Sequence, residues 1–358
     1  LSIDRRPIFL ISITHSSRRE VNRNSHKSDE RKLKMKEMVV FGHCVIDILT
    51  RPVDFQKLQQ GSLPVKEMEM SFGGNGLNEA VILSRLGRKV KLISLVGEDE
   101  AGNRILDFLS DNGIDDSSIV RKKDLTTSTN IVLIDEQGER FFITNPAGSQ
   151  RKQKIEHMLP FLPEQPCLFS FANLFVSPEI KISETALLFG HLKQDLGYTI
   201  ALDLTKPKNG EILDDIKELL CYVDYFFPNE EEAAMLTGNP DPFENARLLM
   251  DAGVKHPVIK CGKDGCVVGS DQGIFHVPAY SNANCVDTTG AGDNFAGGFL
   301  WAVSEGWDLY KCACFANAAA SLTVEKTGAN TGVQNLDQVM ERYEDMIQKM
   351  EICFLEQN

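Results

Sequence analysis

Short apolar runs alternate with amphipathic segments along the chain from Met38 onward. The runs are rich in β-branched and aromatic residues, which predicts buried strands. These predicted strands cover residues 39–48 (interrupted at Gly42), 90–96, 168–171, 198–202, 225–227 and 258–260. Helical patterns lie between them, for example at residues 77–86 and 102–112. Strand and helix in alternation predict a three-layer α/β/α sandwich with a mostly parallel central sheet.

Two stretches, residues 45–72 and 126–145, interrupt this alternation with strand-like segments. In the second stretch, residues 129–134 and 140–144 flank Glu136-Gln137-Gly138, which indicates a hairpin. These segments predict a small β-sheet standing off the main layer, as a lid or an oligomer contact. No long linker follows, so residues 38–358 are expected to form a single domain.

The two ends of the chain differ in character. Residues 308–325 are rich in alanine and predict a buried helix, and residues 336–354 predict an amphipathic terminal helix. Residues 1–37 contain many Arg, Ser, Asn and Lys, and their apolar run at 8–13 is too short for a convincing signal peptide. We expect residues 1–37 to be a disordered extension.

Composition narrows the class of protein. The 358 residues include 42% hydrophobic and 25% charged residues, as expected for a globular protein with a sizeable core. The net charge of −13 disfavours nucleic acid and anionic membranes as partners. Most of the nine cysteines lie in apolar runs, which suits reduced thiols and a cytoplasmic location.

The most informative motif is Asp-Thr-Thr-Gly-Ala-Gly-Asp-Asn-Phe-Ala-Gly-Gly-Phe-Leu at residues 287–300. Gly290 and Gly292 allow a tight turn whose N–H groups gather at the start of a helix, where anions bind. Asp293 follows in the first turn and could accept a proton from an attacking hydroxyl. A bare Gly-x-Gly-Asp often marks only a turn before a helix. The full string favours phosphoryl chemistry.

A second glycine cluster, Gly73-Gly74-Asn75-Gly76-Leu77-Asn78, opens the predicted helix at 77–86. Asn75 and Asn78 offer donors and acceptors to a polyhydroxylated molecule, although an asparagine N-cap alone would explain them equally well. The third glycine of a dinucleotide fingerprint is missing, and no P-loop string occurs.

Together the two clusters resemble the signatures of the ribokinase-like (PfkB) carbohydrate kinases. This resemblance implies a ribokinase-like fold with a small β-sheet lid, and phosphoryl transfer from ATP. It implies that Asp293 is the base and that Gly290, Ala291 and Gly292 form the anion hole. Asp47, Gly74 and Asn78 would hold the substrate.

The resemblance also implies a nucleotide site at Asn229, Gly262, Gly265 and Asn317. Glu232 would coordinate Mg²⁺, directly or through water. Taken alone, the acidic run at 230–232 more often marks a solvated helix start. Asp287 and Thr289 match positions at which many members bind a monovalent cation, usually K⁺.

The expected function is therefore transfer of the γ-phosphoryl group of ATP to a hydroxymethyl group of a sugar. A nucleoside kinase is the first alternative, and a metabolite-binding regulator without turnover is the second. Asn75 stands where several members have Lys, and Asn173 stands where several have an acidic residue. The resemblance therefore does not identify the sugar. Arg140 resembles the lid segment of fructokinase-like members. A homodimer through the lid is also expected.

Overall fold

The computed structural model describes residues 37–137 and 139–356. The strands are β1 (Glu37–Phe41), β2 (Val45–Arg51), β3 (Glu67–Gly73), β4 (Lys89–Gly97), β5 (Ile119–Lys122), β6 (Thr129–Ile134), β7 (Arg140–Ile143), β8 (Leu168–Leu174), β9 (Thr199–Leu204), β10 (Tyr225–Phe226), β11 (His256–Lys260), β12 (Cys266–Ser270) and β13 (Gly273–Val277). The helices are α1 (Asn75–Arg85), α2 (Glu100–Asp111), α3 (Ile182–Gln194), α4 (Leu213–Leu220), α5 (Glu230–Thr237), α6 (Pro242–Asp251), α7 (Ala291–Ser304), α8 (Leu309–Val324) and α9 (Leu336–Glu356).

The larger sheet has nine strands in the order β13-β12-β11-β10-β9-β8-β1-β4-β5. All pairs from β11 to β5 are parallel, whereas β12 pairs antiparallel with both β11 and β13. The mostly parallel sheet predicted from the sequence is confirmed. The antiparallel hairpin at its edge was not predicted.

Both faces of this sheet are covered by helices. In β1, Met38 and Val40 belong to the core cluster that includes α1, α7 and α8, whereas Val39 and Phe41 belong to the cluster that includes α3, α4 and α6. All four side chains are fully buried. Successive side chains of a strand point to opposite faces, so a continuous apolar run means two buried faces. The predicted α/β/α layering is confirmed.

Residues 39–48, expected to form one interrupted strand, belong instead to both sheets. β1 ends at Phe41 and β2 begins at Val45, in the smaller sheet. The break lies where Gly42 meets Gly76 in the first turn of α1. A Cβ on either glycine would lie 2.5 Å from the Cα atom of the other. Only glycine permits this backbone contact, which carries the chain from one sheet to the next.

The smaller sheet has four strands in the order β3-β2-β6-β7. β2 pairs antiparallel with β3 and parallel with β6, and β6 and β7 form the predicted antiparallel hairpin. Gly138 of the predicted turn lies outside the described residues, but Asp135 accepts hydrogen bonds from the N–H groups of Gln137 and Glu139. The prediction of a small separate sheet is confirmed.

Cross-strand register divides the side chains of this small sheet between two faces. Ile48 lies opposite Met70 and Ile131, and Ile131 lies opposite Ile143, so these four share one face. Asp47, which lies opposite Asn130, is on the other face. We call the first of these the outer face of the small sheet, because the second lines the cavity described below.

Two expectations from the sequence, for the extension at residues 1–37 and for a single domain at residues 38–358, are not tested by the described residues. The extension expected at residues 1–37 lies outside the described residues, except that Glu37 begins β1. The expectation that residues 38–358 form a single domain stays a prediction. Within the described ranges, no helix has the length and apolar character needed to span a bilayer.

Candidate active site

Several strands of the large sheet end at one edge, because they are parallel. Asp203 lies near the end of β9, Asn229 follows β10, and Lys260 ends β11. The first turns of α1 and α7 carry the two glycine clusters, and a short 3₁₀ helix at Gly262–Asp264 follows β11. The carboxyl edge of such a sheet is the usual place for ligands in open α/β folds.

A cavity of about 200 Å³ lies between this edge and the small sheet. Asp47 and Asn130 of the small sheet contribute to it, together with Gly74 and Asn78 near the start of α1 and Asp293 of α7. The structure therefore brings the three predicted substrate residues to the same cavity as the predicted base. Gly290 also lines it, whereas Ala291 and Gly292 are not among its lining residues.

A chain of three side chains fixes Asp293. The Nδ2 group of Asn78 donates to Oδ2 of Asp293 at 2.6 Å. Oδ1 of Asn78 accepts from Nδ2 of Asn330 at 2.9 Å, and the same amide of Asn330 donates to the carbonyl of Phe72. Since Asn330 fixes the orientation of Asn78, the carboxylate of Asp293 has a defined direction.

The surroundings of Asp293 raise its pKa. Burial is the main cause, and the hydrogen bond from Asn78, the charge of Lys260 and a hydrogen bond from Asn75 oppose it. A carboxylate with a raised pKa is a better proton acceptor at neutral pH than an ordinary aspartate. The electrostatics suit a general base.

The turn before α7 requires glycine at position 290. Gly290 has φ of 72°, and a Cβ there would lie 2.4 Å from Cβ of Ala329. Nδ2 of Asn294 donates to the carbonyls of both Gly290 and Ala329 and so joins the turn to the neighbouring loop. The N–H of Ala291 donates to Thr288 at 3.2 Å, within the turn. The first turn of a helix has N–H groups without intrahelical acceptors, which can bind an anion.

A buried ion pair lies next to this turn. Nζ of Lys260 donates to Oδ2 of Asp203 at 2.8 Å and to Oδ1 at 3.1 Å. A Cβ at Gly292 would lie 3.3 Å from the same Nζ. Burial raises the pKa of Asp203 to about 7, against the opposing charge of Lys260. Lys260 thus brings positive charge beside the proposed anion hole.

Asn229 and Glu232 form a reciprocal cap at the start of α5. Oδ1 of Asn229 accepts from the N–H of Glu232, and Oε2 of Glu232 accepts from the N–H of Asn229, both at 2.8 Å. Burial raises the pKa of Glu232, with the charge of Lys260 opposing. No group of three or more His, Cys, Asp or Glu within the described ranges could hold a metal by itself. Because Mg²⁺ often uses one carboxylate with waters and substrate phosphates, Glu232 suits it.

The remaining predicted nucleotide residues meet at the end of β13. Gly265 has φ of 94°, and a Cβ there would lie 2.0 Å from the carbonyl oxygen of Val277. Nδ2 of Asn317 donates to the carbonyls of Val277 and Pro278. Gly262 lies at the start of the same turn, and a Cβ there would meet no atom within 4 Å. The contacts of Asn317 hold the chain in place, and its contact with a nucleotide stays a prediction.

Asp287 and Thr289, the residues expected to bind a monovalent cation, lie together with Arg140 of β7. The guanidinium of Arg140 donates to Oδ1 of Asp287 and to Oγ1 of Thr289. Burial raises the pKa of Asp287, but hydrogen bonds from Gly328 and Thr289 and the charge of Arg140 outweigh it and lower that pKa. The sequence indicated Arg140 only as a lid residue.

Sequence reasoning missed several residues of the site. Asn130 donates to Oδ1 of Asp47 at 2.8 Å, and Asn330 and Asn294 fix the base and the turn. No periodicity or spacing marks Asn130 or Asn330, whereas Asn294 lies inside the motif at 287–300, where sequence reasoning assigned it no role. Asp203 and the pairing role of Lys260 carried a usable signal, because each is a charged residue at the end of an apolar strand.

Comparison with known proteins agrees with this geometry. A model of the pfkB family of carbohydrate kinases matches residues 35–336. Ribokinase of Haemophilus influenzae is 27% identical over 295 residues, covering 78% of this chain and 90% of that protein. Aminoimidazole riboside kinase of Salmonella typhimurium is 30% identical over 280 residues, covering 75% of this chain and 86% of that protein.

Solved structures show the same fold. The structure of Arabidopsis thaliana ribokinase complexed with ribose and ATP superimposes with a TM-score of 0.70 at 24% identity, covering 86% of this chain and 99% of that one. The family model spans most of the chain, including both glycine clusters. The protein is a member of the pfkB family of carbohydrate kinases, phosphotransferases whose acceptor is an alcohol group.

Proposed function

We propose that the protein transfers the γ-phosphoryl group of ATP to a hydroxymethyl oxygen of a sugar, namely ribose, fructose or a related keto or deoxy sugar. One observation carries the proposal: the carboxylate of Asp293 lies in the polar cavity, held by Asn78 at 2.6 Å, at the start of α7. A proton acceptor and a helix N-terminus thus lie where a sugar hydroxyl and a phosphoryl group would meet.

The chemistry follows from these positions. A hydroxyl of the bound sugar donates its proton to Asp293 as the oxygen attacks the γ-phosphorus in line with the leaving ADP. The N–H groups of the turn Gly290-Ala291-Gly292 and the nearby charge of Lys260 would offset the negative charge on the transferring group, although the N–H of Ala291 is shared with the carbonyl of Thr288. Mg²⁺, held near Glu232, would neutralise charge on the phosphates.

The nucleotide would lie along the carboxyl edge of the large sheet. Asn229, Gly262, Gly265 and Asn317 surround the ends of β10, β11 and β13, next to the buried pair of Lys260 and Asp203. In this arrangement the sugar would lie under the small sheet. The phosphates would lie between the sugar and the rest of the nucleotide, at the start of α7.

The lining of the cavity favours a neutral sugar over a sugar phosphate. None of the described residues that line it is Lys or Arg. Burial lowers the pKa of His43, a lining residue, to about 4, so this imidazole is neutral at neutral pH. The charge of Arg140 acts on Asp47, but its guanidinium is engaged by Asp287 and Thr289. A phosphate on the substrate would therefore find no uncommitted cation among the described lining residues, whereas hydroxyls have Asp47, Asn130 and Asn78.

The small sheet would act as a lid and as a dimer contact. Its outer face presents Met68, Met70, Ile131 and Ile143, which are 70%, 41%, 40% and 48% exposed. A contiguous apolar surface of this kind suits burial against a second copy of the chain. We place the enzyme in the cytoplasm, which supplies ATP and keeps buried thiols such as Cys44 and Cys266 reduced.

A nucleoside kinase is the second candidate, supported by the 30% identity to a riboside kinase. ADP release measured over a panel of sugars, nucleosides and sugar phosphates distinguishes the two. Highest kcat/KM on a free sugar supports the proposal, and highest kcat/KM on a nucleoside supports the second candidate. Nucleotide binding without transfer to any acceptor would indicate a metabolite-binding regulator instead.

A further inference from the structure

Arg140 connects the small sheet to the turn before α7. It is the first residue of β7, and its guanidinium donates through Nη2 to Asp287 and through Nη1 to Thr289. The side chain of Arg140 is 26% exposed and that of Asp287 only 5%. The two residues lie 147 positions apart in sequence, so this contact depends on the fold.

Both carboxylate oxygens of Asp287 accept hydrogen bonds, and Oδ1, the oxygen that Arg140 contacts, is fully occupied. Oδ1 accepts from the N–H and the hydroxyl of Thr289, at 2.8 and 2.7 Å, as well as from Arg140. Oδ2 accepts from the N–H of Gly328 at 2.9 Å. Each carboxylate oxygen has about two lone-pair positions, so the three donors to Oδ1 leave that oxygen no room for a further ligand. A metal cation would have to displace Arg140, whose positive charge also repels it.

Asp287 and Thr289 therefore do not suit a monovalent cation while Arg140 occupies their oxygens. The same two residues lead directly into Gly290 and the first turn of α7. A positive charge beside Asp287 and Thr289 neutralises a buried carboxylate and holds the turn before α7. A K⁺ ion bound there would have the same two effects. A guanidinium with two directed N–H bonds supplies both.

We propose that Arg140 is a built-in cation of this enzyme, taking the position that a monovalent metal would otherwise occupy. It acts as a positioning residue, because it holds the turn before α7 and does not touch the reacting atoms. Since Arg140 is the first residue of β7, this contact ties the small sheet to the turn before α7. The effect on turnover rests on the proposed kinase activity, whereas the effect on stability does not.

The test compares KCl with choline chloride at equal ionic strength. The wild-type protein should show the same turnover and the same thermal midpoint in both salts. Arg140→Ala should lose roughly 10- to 100-fold in kcat in choline, the range for disturbed positioning, and should recover in KCl. Its thermal midpoint should also rise with K⁺. Arg140→Lys should retain more activity in choline than Arg140→Ala.

Arg104→Ala is the matched control, because Arg104 forms an exposed ion pair with Glu100 on α2. It should behave as wild type in both salts. The proposal is overturned if K⁺ stimulates the wild-type protein several-fold, or if Arg140→Ala is equally active in choline. It is also overturned if K⁺ changes neither the turnover nor the midpoint of Arg140→Ala. The midpoint needs no substrate, so a failed kinase assay leaves this test intact.

Discussion

The side-chain amide of Asn78 donates to the carboxylate of Asp293 across 215 positions of sequence. Asn78 lies near the start of α1 and Asp293 near the start of α7, and both helices start at the carboxyl edge of the large sheet. The contact therefore links the helix that carries the proposed substrate residue to the helix that carries the proposed base. The ionisation of Asp293 should depend on a residue that we also expect to contact the sugar.

Asp293→Asn should lower kcat by roughly 10²- to 10⁴-fold, the range for loss of a general base. The amide keeps the size of the side chain but cannot accept the hydroxyl proton. ADP release at saturating sugar and ATP measures the effect, and nucleotide binding by calorimetry should be unchanged. Asp271→Asn, at an exposed turn, is the control. Turnover of Asp293→Asn within a few-fold of wild type would refute the role of the base.

Asn78→Ala should move the acid limb of kcat/KM to higher pH. The hydrogen bond from Asn78 favours the ionised carboxylate and lowers the pKa of Asp293, which burial raises. Without this donor the pKa rises further, and the base becomes protonated at a higher pH. A pH profile of kcat/KM for both proteins measures the shift. Asn239→Ala should leave the profile unchanged, and a shift of the limb to lower pH would contradict the mechanism.

Gly290→Ala should reduce both stability and activity. The substitution places a Cβ 2.4 Å from that of Ala329 at φ of 72°. Gly306→Ala separates the two effects, because Gly306 has φ of 77° with no atom near its Cβ position. It should cost about 1–2 kcal/mol of the free energy of unfolding and leave kcat intact. Denaturant unfolding and kcat for both variants check this, and equal effects would show that Ala329 does not matter.

Lys260→Met should lower the free energy of unfolding by about 3–5 kcal/mol at neutral pH, because Asp203 then remains buried without its cationic partner. The double variant with Asp203→Leu should recover much of this loss. The pKa of Asp203 is already raised from 3.8 to about 7 by burial, and loss of Lys260 raises it further. A raised folded-state pKa means that stability is present at low pH and is lost as pH rises through that pKa.

Unfolding of Lys260→Met by denaturant at pH 5.5 and pH 8 measures this dependence. The variant should be more stable at pH 5.5, relative to wild type, than at pH 8. A loss that is the same at both pH values would show that Asp203 does not take up a proton when its partner is removed.

Ile131→Asp should shift the protein from dimer to monomer. Ile131 lies in the middle of the outer face of the small sheet, where a charge would be buried in the proposed contact. Sedimentation velocity over a range of concentrations measures the change. Leu187→Asp is the control, because Leu187 is 78% exposed on α3, outside the small sheet. A wild-type protein that is monomeric at all concentrations would rule out the dimer.

The sequence predicts the α/β/α layers and helix α7 because both depend on residues that are close together in the chain. The run at Met38–Phe41 is apolar at every position because both faces of β1 are buried, and this is visible without the fold. The turn at Gly290 is equally local, since its backbone shape and the helix after it depend on neighbouring residues. The expectations for the large sheet and the small sheet therefore agree with the structure.

The contacts that complete the site depend on the folded chain. Asn130 reaches Asp47 only because β6 pairs with β2, and Asn330 reaches Asn78 across 252 positions. A single asparagine carries no periodic signal, whether it lies in a strand, as Asn130 does, or in a loop, as Asn330 does. The sequence also did not indicate that β1 and β2 belong to different sheets, because an apolar run does not show which sheet each of its halves joins.

The strands of the small sheet connect its outer face to the cavity, so binding at one could affect the other. β2 turns Asp47 toward the cavity and its neighbour Ile48 toward the outer face, on one stretch of backbone. We expect a small molecule or a crosslink attached to the outer face to shift that backbone and, with it, the polar groups proposed to hold the sugar. Such an agent should alter sugar affinity without resembling either sugar or nucleotide, which is the behaviour of an allosteric inhibitor.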